Sequence, residues 1–352
     1  MMINVLKVIV PSVLTFFLGV LITPLFTNFF YKHKMWKKSS RALAGDITTD
    51  DFAKIHNATG ELSTPRIGGV IIWVSVLLTV LIIYLLSVFF PTNLTEKLNF
   101  FSRSQTFVPL GALILASLIG LGDDFLQIFS TGSYARDSIT NRKIKIICIS
   151  AIGLSIALWF YTKLDATLIH IPFWHDINLG LWFIPFFIII MLAVFSTSVI
   201  DGIDGLSGGV MTTIFTAYAV IAFIQNQIDI AALCAVIAGG TLAFLWYNIP
   251  PARFYMGETG MMGLTVTLSV IAFLTHSSIL LLVIAFPLVI TSLSVIIQMV
   301  SYKYFNKHRV FRVAPLHHHL EAIGWSKEKV VMRYWIISVV FAIIGVILAL
   351  VS

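Results

Sequence analysis

Val199–Gly209 reads VIDGIDGLSGG and interrupts two apolar runs, about 180–200 and 207–224. Each run is about as long as the roughly 20 apolar residues that cross a bilayer as a helix. Between them lie two carboxylates, Asp201 and Asp204, among glycines. On a helical turn, acids three positions apart share one side, and glycine lets a ligand or another backbone come close. A polar turn that keeps the loop solvated is the plainer reading of this stretch alone. Acids beside hydrocarbon are costly, however, and mark a functional candidate. The rest of the chain decides between the two.

Working outward, the chain has 352 residues, 58% hydrophobic and 11% charged, with a mean hydropathy of +0.96. Such a surface is not solvated by water, which excludes a soluble globule. Ten apolar runs are predicted to span a membrane, at about 5–31, 67–90, 107–122, 144–161, 180–200, 207–224, 229–247, 260–276, 278–302 and 330–351. They are too long and continuous for barrel strands, so the fold class is all-α and polytopic, as one transmembrane domain over 1–352. The first run has no basic segment before it and reads as a retained helix rather than a cleaved leader. Cys148 and Cys234 fall inside spans, so no disulfide framework is implied.

Charge sets the expected orientation. Of the 23 lysines and arginines, all but Lys7, Lys97, Arg103 and Lys163 belong to the loops after odd-numbered spans. The positive-inside rule then places those loops in the cytoplasm and both termini outside. The net charge of +7 reflects these flanks and is no nucleic-acid signal. Of the 16 acids, all but Glu96, Asp165, Asp176 and Asp229 lie on the same side, which the rule does not require.

Those acids come in clusters. The third span ends in GLGDDF, which puts Asp123 and Asp124 at its rim. A helix C-terminus carries partial negative charge, so two acids there call for a metal or a basic partner. Arg136, Arg142, Lys143 and Lys145 follow, as anchors at lipid headgroups or as phosphate ligands. The seventh span runs into FLWYNIPPARFYMGETG, where Pro250–Pro251 stop the helix and a short loop presents Arg253 and Glu258. Trp246 and Tyr247 read as interfacial anchors. The last loop carries VAPLHHHLEAIGW. His317, His318 and His319 share no helical face and no HExxH spacing accompanies them, which disfavours zinc and favours contact with a phosphate or carboxylate. GLSGG is not a nucleophile elbow, which needs a strand-turn-helix, and DGIDG lacks the ligand pattern of a calcium loop.

Taken together, TPRIGG, LIGLGDDF, VIDGIDGL, WYNIPPARFYMGETG and APLHHHLE resemble, in order, the polyprenyl-phosphate N-acetylhexosamine-1-phosphate transferases. HHH followed by GWS and RYW resembles the muramoyl-pentapeptide branch. The resemblance covers about 64–325 and extends into the tenth span. It implies a ten-helix membrane fold with a cytoplasmic active-site cleft, in the plasma (inner) membrane. There UDP-MurNAc-pentapeptide and undecaprenyl phosphate would give UMP and the first lipid-linked peptidoglycan precursor, with Mg²⁺ as cofactor. A homodimer is compatible with it. By resemblance, Asp123 and Asp124 activate or position the lipid phosphate. Asp201 and Asp204 belong to the nucleotide and metal site, with Glu258 as the second metal ligand and a catalytic residue. Asn248 and Thr64 fall among the nucleotide and substrate positions, Lys145 holds a phosphate, and His317–His319 close over the substrate.

The chain departs from the family pattern at four positions. Glu258 stands where the family has Asp, Ser198 where it has Asn, Glu61 where it has Lys, and Arg66 where it has the second Thr of TPTMGG. Three other readings compete, one of them a catalytically silent scaffold descended from the enzyme, which Glu258, Ser198 and Glu61 keep open. A sister enzyme would use UDP-N-acetylglucosamine, but its HIRD-type motif is missing here. A secondary transporter would hold its acids on broken helices near the bilayer midplane.

Overall fold

The computed structural model describes residues 2–36, 63–102, 105–129 and 139–352. Glu61 and Arg136 lie outside the described residues. Among the described residues the regular structure is helical apart from a two-residue antiparallel pairing, β1 (Leu168–Ile169) with β2 (Ile177–Asn178). Among the described residues, ten helices are long and apolar enough to cross a membrane. They are α1 (Met2–Lys32), α2 (Val70–Phe89), α4 (Phe107–Phe129), α5 (Ile139–Lys163), α6 (Phe183–Ser196), α7 (Leu206–Ile224), α8 (Ile228–Asn248), α9 (Gly257–Leu274), α11 (Phe286–Tyr304) and α13 (Lys327–Val351). Short 3₁₀ turns extend α6 at both ends, so its span covers Gly180–Ile200. Three short helices, α3 (Asn93–Leu98), α10 (Leu281–Ile284) and α12 (Leu316–Ala322), accompany them among the described residues.

α9 is the axis of the bundle. A helix apolar on all sides belongs inside, and 89% of the α9 span is buried. Met261, Leu264, Leu268 and Ile271 join the larger core with α2, α7, α8 and α13. Met262, Val266, Val270 and Phe273 face a second core built with α4, α5 and α6. α1 lies at the periphery, with only 17% of its span buried. Hydroxyl contacts tie it inward, Ser12 donating to the Ala235 carbonyl at 2.7 Å and Thr15 to Thr79 at 2.8 Å.

Three boundaries differ from those read in the sequence. α4 continues to Phe129, which sets Asp123 and Asp124 inside its last two turns rather than at its end. Their charges are met by neighbouring groups, so the helix has no reason to stop there. α9 begins at Gly257, three residues early, which puts Glu258 in its first turn. The ninth span is not continuous: α10 ends at Ile284 and α11 starts at Phe286. Pro287, in the first turn of α11, has no N–H to donate and disfavours helical geometry in the residue before it.

Candidate active site

The N-terminus of α9 organises the polar end of the bundle. The first N–H groups of any helix lack partners within it and favour anions. Here two carboxylates from other segments receive them. Asp201 Oδ2 accepts from the Gly257 N–H at 3.1 Å. Asp124 accepts from the Glu258 N–H at 3.2 Å, and from the N–H and hydroxyl of Thr259 at 2.8 and 2.6 Å. Gly257 has φ +69°, and a Cβ there would strike the Arg66 carbonyl and lie 2.6 Å from Asp124 Oδ2. Only glycine fits that crossing.

Asp123 is held differently. Lys145 of α5 donates to Asp123 Oδ2 at 3.2 Å and to Glu258 Oε1 at 2.9 Å, and Gln127 donates to the same Asp123 oxygen at 2.6 Å. The basic partner expected for the acid pair is therefore Lys145 for Asp123. For Asp124 the compensating charge is the start of α9. Lys145 is 7% exposed, so these pairs form largely out of water, where they are stronger.

The Asp201–Asp204 stretch is not a helical turn, and the two acids diverge. Residues 201–205 link a 3₁₀ turn to α7, with Gly205 in left-handed geometry. Asp201 faces α9 and accepts from Ser207 at 2.8 Å. Asp204 turns to the proline loop and accepts from the Ala252 N–H at 3.0 Å. Burial pushes the Asp201 carboxyl above its ordinary range, against the hydrogen bond from Ser207 and the nearby Arg66 charge. Burial also raises Asp204, opposed by the Ala252 N–H and by Lys327.

Asn248, 2% exposed, ties these loops together. Its Oδ1 accepts from the Gly205 N–H at 2.9 Å and its Nδ2 donates to the Phe254 carbonyl at 2.8 Å. The segment holding Thr64 runs beside the loop before α9. The Tyr255 N–H donates to the Pro65 carbonyl at 2.7 Å, and the Gly68 and Gly69 N–H groups donate to Tyr255 and Met256 at 2.9 Å. Arg253 lies over the Tyr247 ring, 5.5 Å from its centroid.

The histidine segment packs on this assembly. A Cβ on Gly202 would lie 2.5 Å from His317 Nε2 and 2.9 Å from His318 Nε2, so both imidazoles rest on the backbone between the two aspartates. His318 Nδ1 is 2.7 Å from Glu321 Oε2. His319 faces away, its Nδ1 accepting from the Arg312 N–H at 3.2 Å, and burial followed by the Arg312 charge lowers its basicity. Trp335 closes the far side by donating to the Gly205 carbonyl at 3.1 Å.

Segments distant in sequence thus meet at one end of the bundle. Comparison with known proteins gives this convergence a lineage. Residues 106–276 match the model of glycosyl transferase family 4. A phospho-N-acetylmuramoyl-pentapeptide-transferase of Chloroflexus aggregans is 33% identical over 347 residues, covering 96% of this chain and 88% of the relative. Proteins of the same name from a Geobacillus species and from Listeria monocytogenes are 34% and 33% identical, covering 96% and 94% of both chains. The chain belongs to the phospho-N-acetylmuramoyl-pentapeptide-transferase family. Within that family frame, the three departures among the described residues lie close to the site. Arg66 and Glu258 both adjoin the start of α9, and Ser198 precedes Asp201, whose N–H donates to its carbonyl at 3.2 Å.

Among the described residues, no three His, Cys, Asp or Glu side chains form a ready metal cage. Mg²⁺ does not need one, since it usually takes one or two carboxylates and completes its shell with water and phosphate oxygens. Glu258 Oε2 is buried without a hydrogen-bond partner. Asp201 carries one bond on each oxygen, of the four or so lone-pair sites a carboxylate offers. These hard oxygen donors suit such an ion.

Sequence reading missed Gln127, Ser207, Thr259 and Glu321, the groups that hold the named residues in place. Two had a visible signal: Gln127 is four residues after Asp123, and Glu321 three after His318, spacings that meet on a helix.

Proposed function

We propose that this chain transfers phospho-N-acetylmuramoyl-pentapeptide from its UDP carrier to undecaprenyl phosphate at the cytoplasmic face of the plasma membrane, releasing UMP. The observation that carries the reading is the convergence of acids from α4, the 199–209 loop and α9 beside a buried lysine, in a chain of this family. A diphosphate and a phosphomonoester repel each other, and so do these carboxylates. Cations and backbone N–H groups must therefore order the site before two anions enter it.

The residues divide that work. Asp124 and Asp201 fix the start of α9 and with it the backbone of Glu258. Asp123, bonded only to side chains, is the acid placed to orient the lipid phosphate. Lys145 bridges Asp123 and Glu258 and offers its ammonium to an arriving phosphoryl group. Asn248 and Ser207 set the loop that bears Asp201. His317 and His318 cover the loop between the two aspartates, against the nucleotide-sugar. Asp201 and Glu258 would hold Mg²⁺, which when bound offsets phosphate charge and polarises the transferring phosphoryl group.

The test is release of UMP from UDP-MurNAc-pentapeptide and undecaprenyl phosphate by purified protein, with and without Mg²⁺. No release under either condition overturns the reading. Orientation has its own measurement: a cysteine at exposed Ser326 should label only from the cytoplasm, and one at Ser352 only from outside. Labelling of both from one side overturns the ten-span topology.

A further inference from the structure

Arg66 brings a guanidinium to the start of α9 whose hydrogen-bonding groups no described residue engages. It stands where the family pattern has threonine. Its backbone is locked: its N–H donates to the Met35 carbonyl at 3.1 Å, and its carbonyl lies against Gly257. Its charge reaches both Asp124 and Asp201, the two carboxylates on the first turn of α9. Those carboxylates already accept from backbone N–H and hydroxyl groups. Among the described residues the Arg66 side chain makes no ion pair or hydrogen bond, and its Nε is buried without a partner. Lys145, by contrast, is shared between Asp123 and Glu258.

A buried guanidinium nitrogen left without an acceptor is costly unless a ligand completes it. Nε together with one terminal nitrogen makes a planar side-on fork that matches two phosphate oxygens, which a lysine ammonium does not reproduce. Asp124, Asp201 and Glu258 together disfavour any anion arriving at the start of α9. A cation next to them offsets that repulsion at the point where phosphates must come. We propose that Arg66 is a phosphate-binding residue of this site, using its side-on fork to hold phosphoryl oxygens of a substrate. The inference rests on the transferase reading and adds to it a residue that the family pattern does not supply.

The experiment measures binding rather than turnover, on the purified full chain in nanodiscs. Affinities for UDP, for uridine and for a soluble short-chain prenyl phosphate are compared in wild type, Arg66→Thr, Arg66→Gln and Arg66→Lys, with melting temperatures alongside. A charged hydrogen bond of this type is worth about tenfold or more in affinity. The Thr and Gln variants should therefore bind UDP at least about tenfold more weakly, with uridine affinity and melting temperature unchanged and Lys in between. The same loss on the prenyl phosphate instead of UDP assigns the fork to the acceptor's phosphate. Variants that bind both phosphates as wild type does, or that lose uridine as much as UDP, overturn the proposal. Should the Thr and Gln variants fail to fold, the Lys variant decides, and unchanged affinity there overturns the fork. Wild type that binds neither phosphate overturns the transferase reading itself.

Discussion

The acids of the site fall into two halves that touch yet are built on different principles. Asp124 and Asp201 are met mainly by backbone N–H groups and hydroxyls at the start of α9. Asp123 and Glu258 share one side-chain cation, Lys145, Gln127 also donates to Asp123, and Glu258 keeps a buried oxygen with no hydrogen-bond partner. Backbone groups do not move without moving a helix, whereas an ammonium on a four-carbon stem moves readily. The first half is therefore scaffold and the second is the half that can rearrange around a substrate. Adjacent positions in the sequence, 123 and 124, fall on opposite sides of this division.

The strongest test of the division is Glu258. Glu258→Gln should abolish UMP release while the protein still inserts and folds, because the amide keeps the shape and removes the charge. Glu258→Asp should remain within roughly tenfold of wild type, about 1.4 kcal/mol of barrier, as read from the Mg²⁺ dependence of release. A fully active Gln variant would remove Glu258 from the rearranging half.

Next in size come the neighbouring aspartates. Asp123→Asn should lower turnover at least about 100-fold, the scale of a lost positioning or proton-handling group, with its melting temperature preserved. Asp124→Asn should lose turnover too, but together with roughly 1–3 kcal/mol of stability, since bonds to the start of α9 weaken. If thermal melting instead shows the loss in Asp123→Asn alone, the two halves are misassigned.

A smaller effect is expected where the histidines rest on the 199–209 loop. Gly202→Ala places a methyl against two imidazoles and should raise KM for the nucleotide-sugar about tenfold, with KM for the lipid phosphate little changed. Tenfold is about 1.4 kcal/mol of binding, the scale of a shifted contact rather than of lost chemistry. Equal changes in both KM values would make the histidine segment a general support.

The ten helices were legible because apolar run length is a strong signal, and it does not depend on what each helix touches. The meeting of the polar clusters at one end was legible too, from the loops on which they fall. Individual contacts were not. Nothing local to GDDF says that one acid receives a helix N-terminus from over 130 residues away while its neighbour receives a lysine. Spacing put Asp201 and Asp204 on one face, but a left-handed Gly205 and the pull of Ser207 and Ala252 turn them apart. Asn248 had no visible partner in the sequence, since both groups it bonds lie on other loops. The acids sit at helix ends or in final turns, not on interrupted helices, as the transporter alternative would require.

The unequal burial of the spans bears on how the protein sits in lipid. α9 has 18 residues, about 27 Å of helix, and is enclosed on every side. α1 has 31 residues, about 46 Å, and lies on the outside with α13, only 22% of whose span is buried. A thicker or thinner bilayer is met by tilt and by local deformation at lipid-facing helices, at a cost of fractions of a kcal/mol per ångström. The outer helices can take up that mismatch while the enclosed one keeps its register. Glu258, in the first turn of α9, is thereby insulated from the thickness of the membrane it works in.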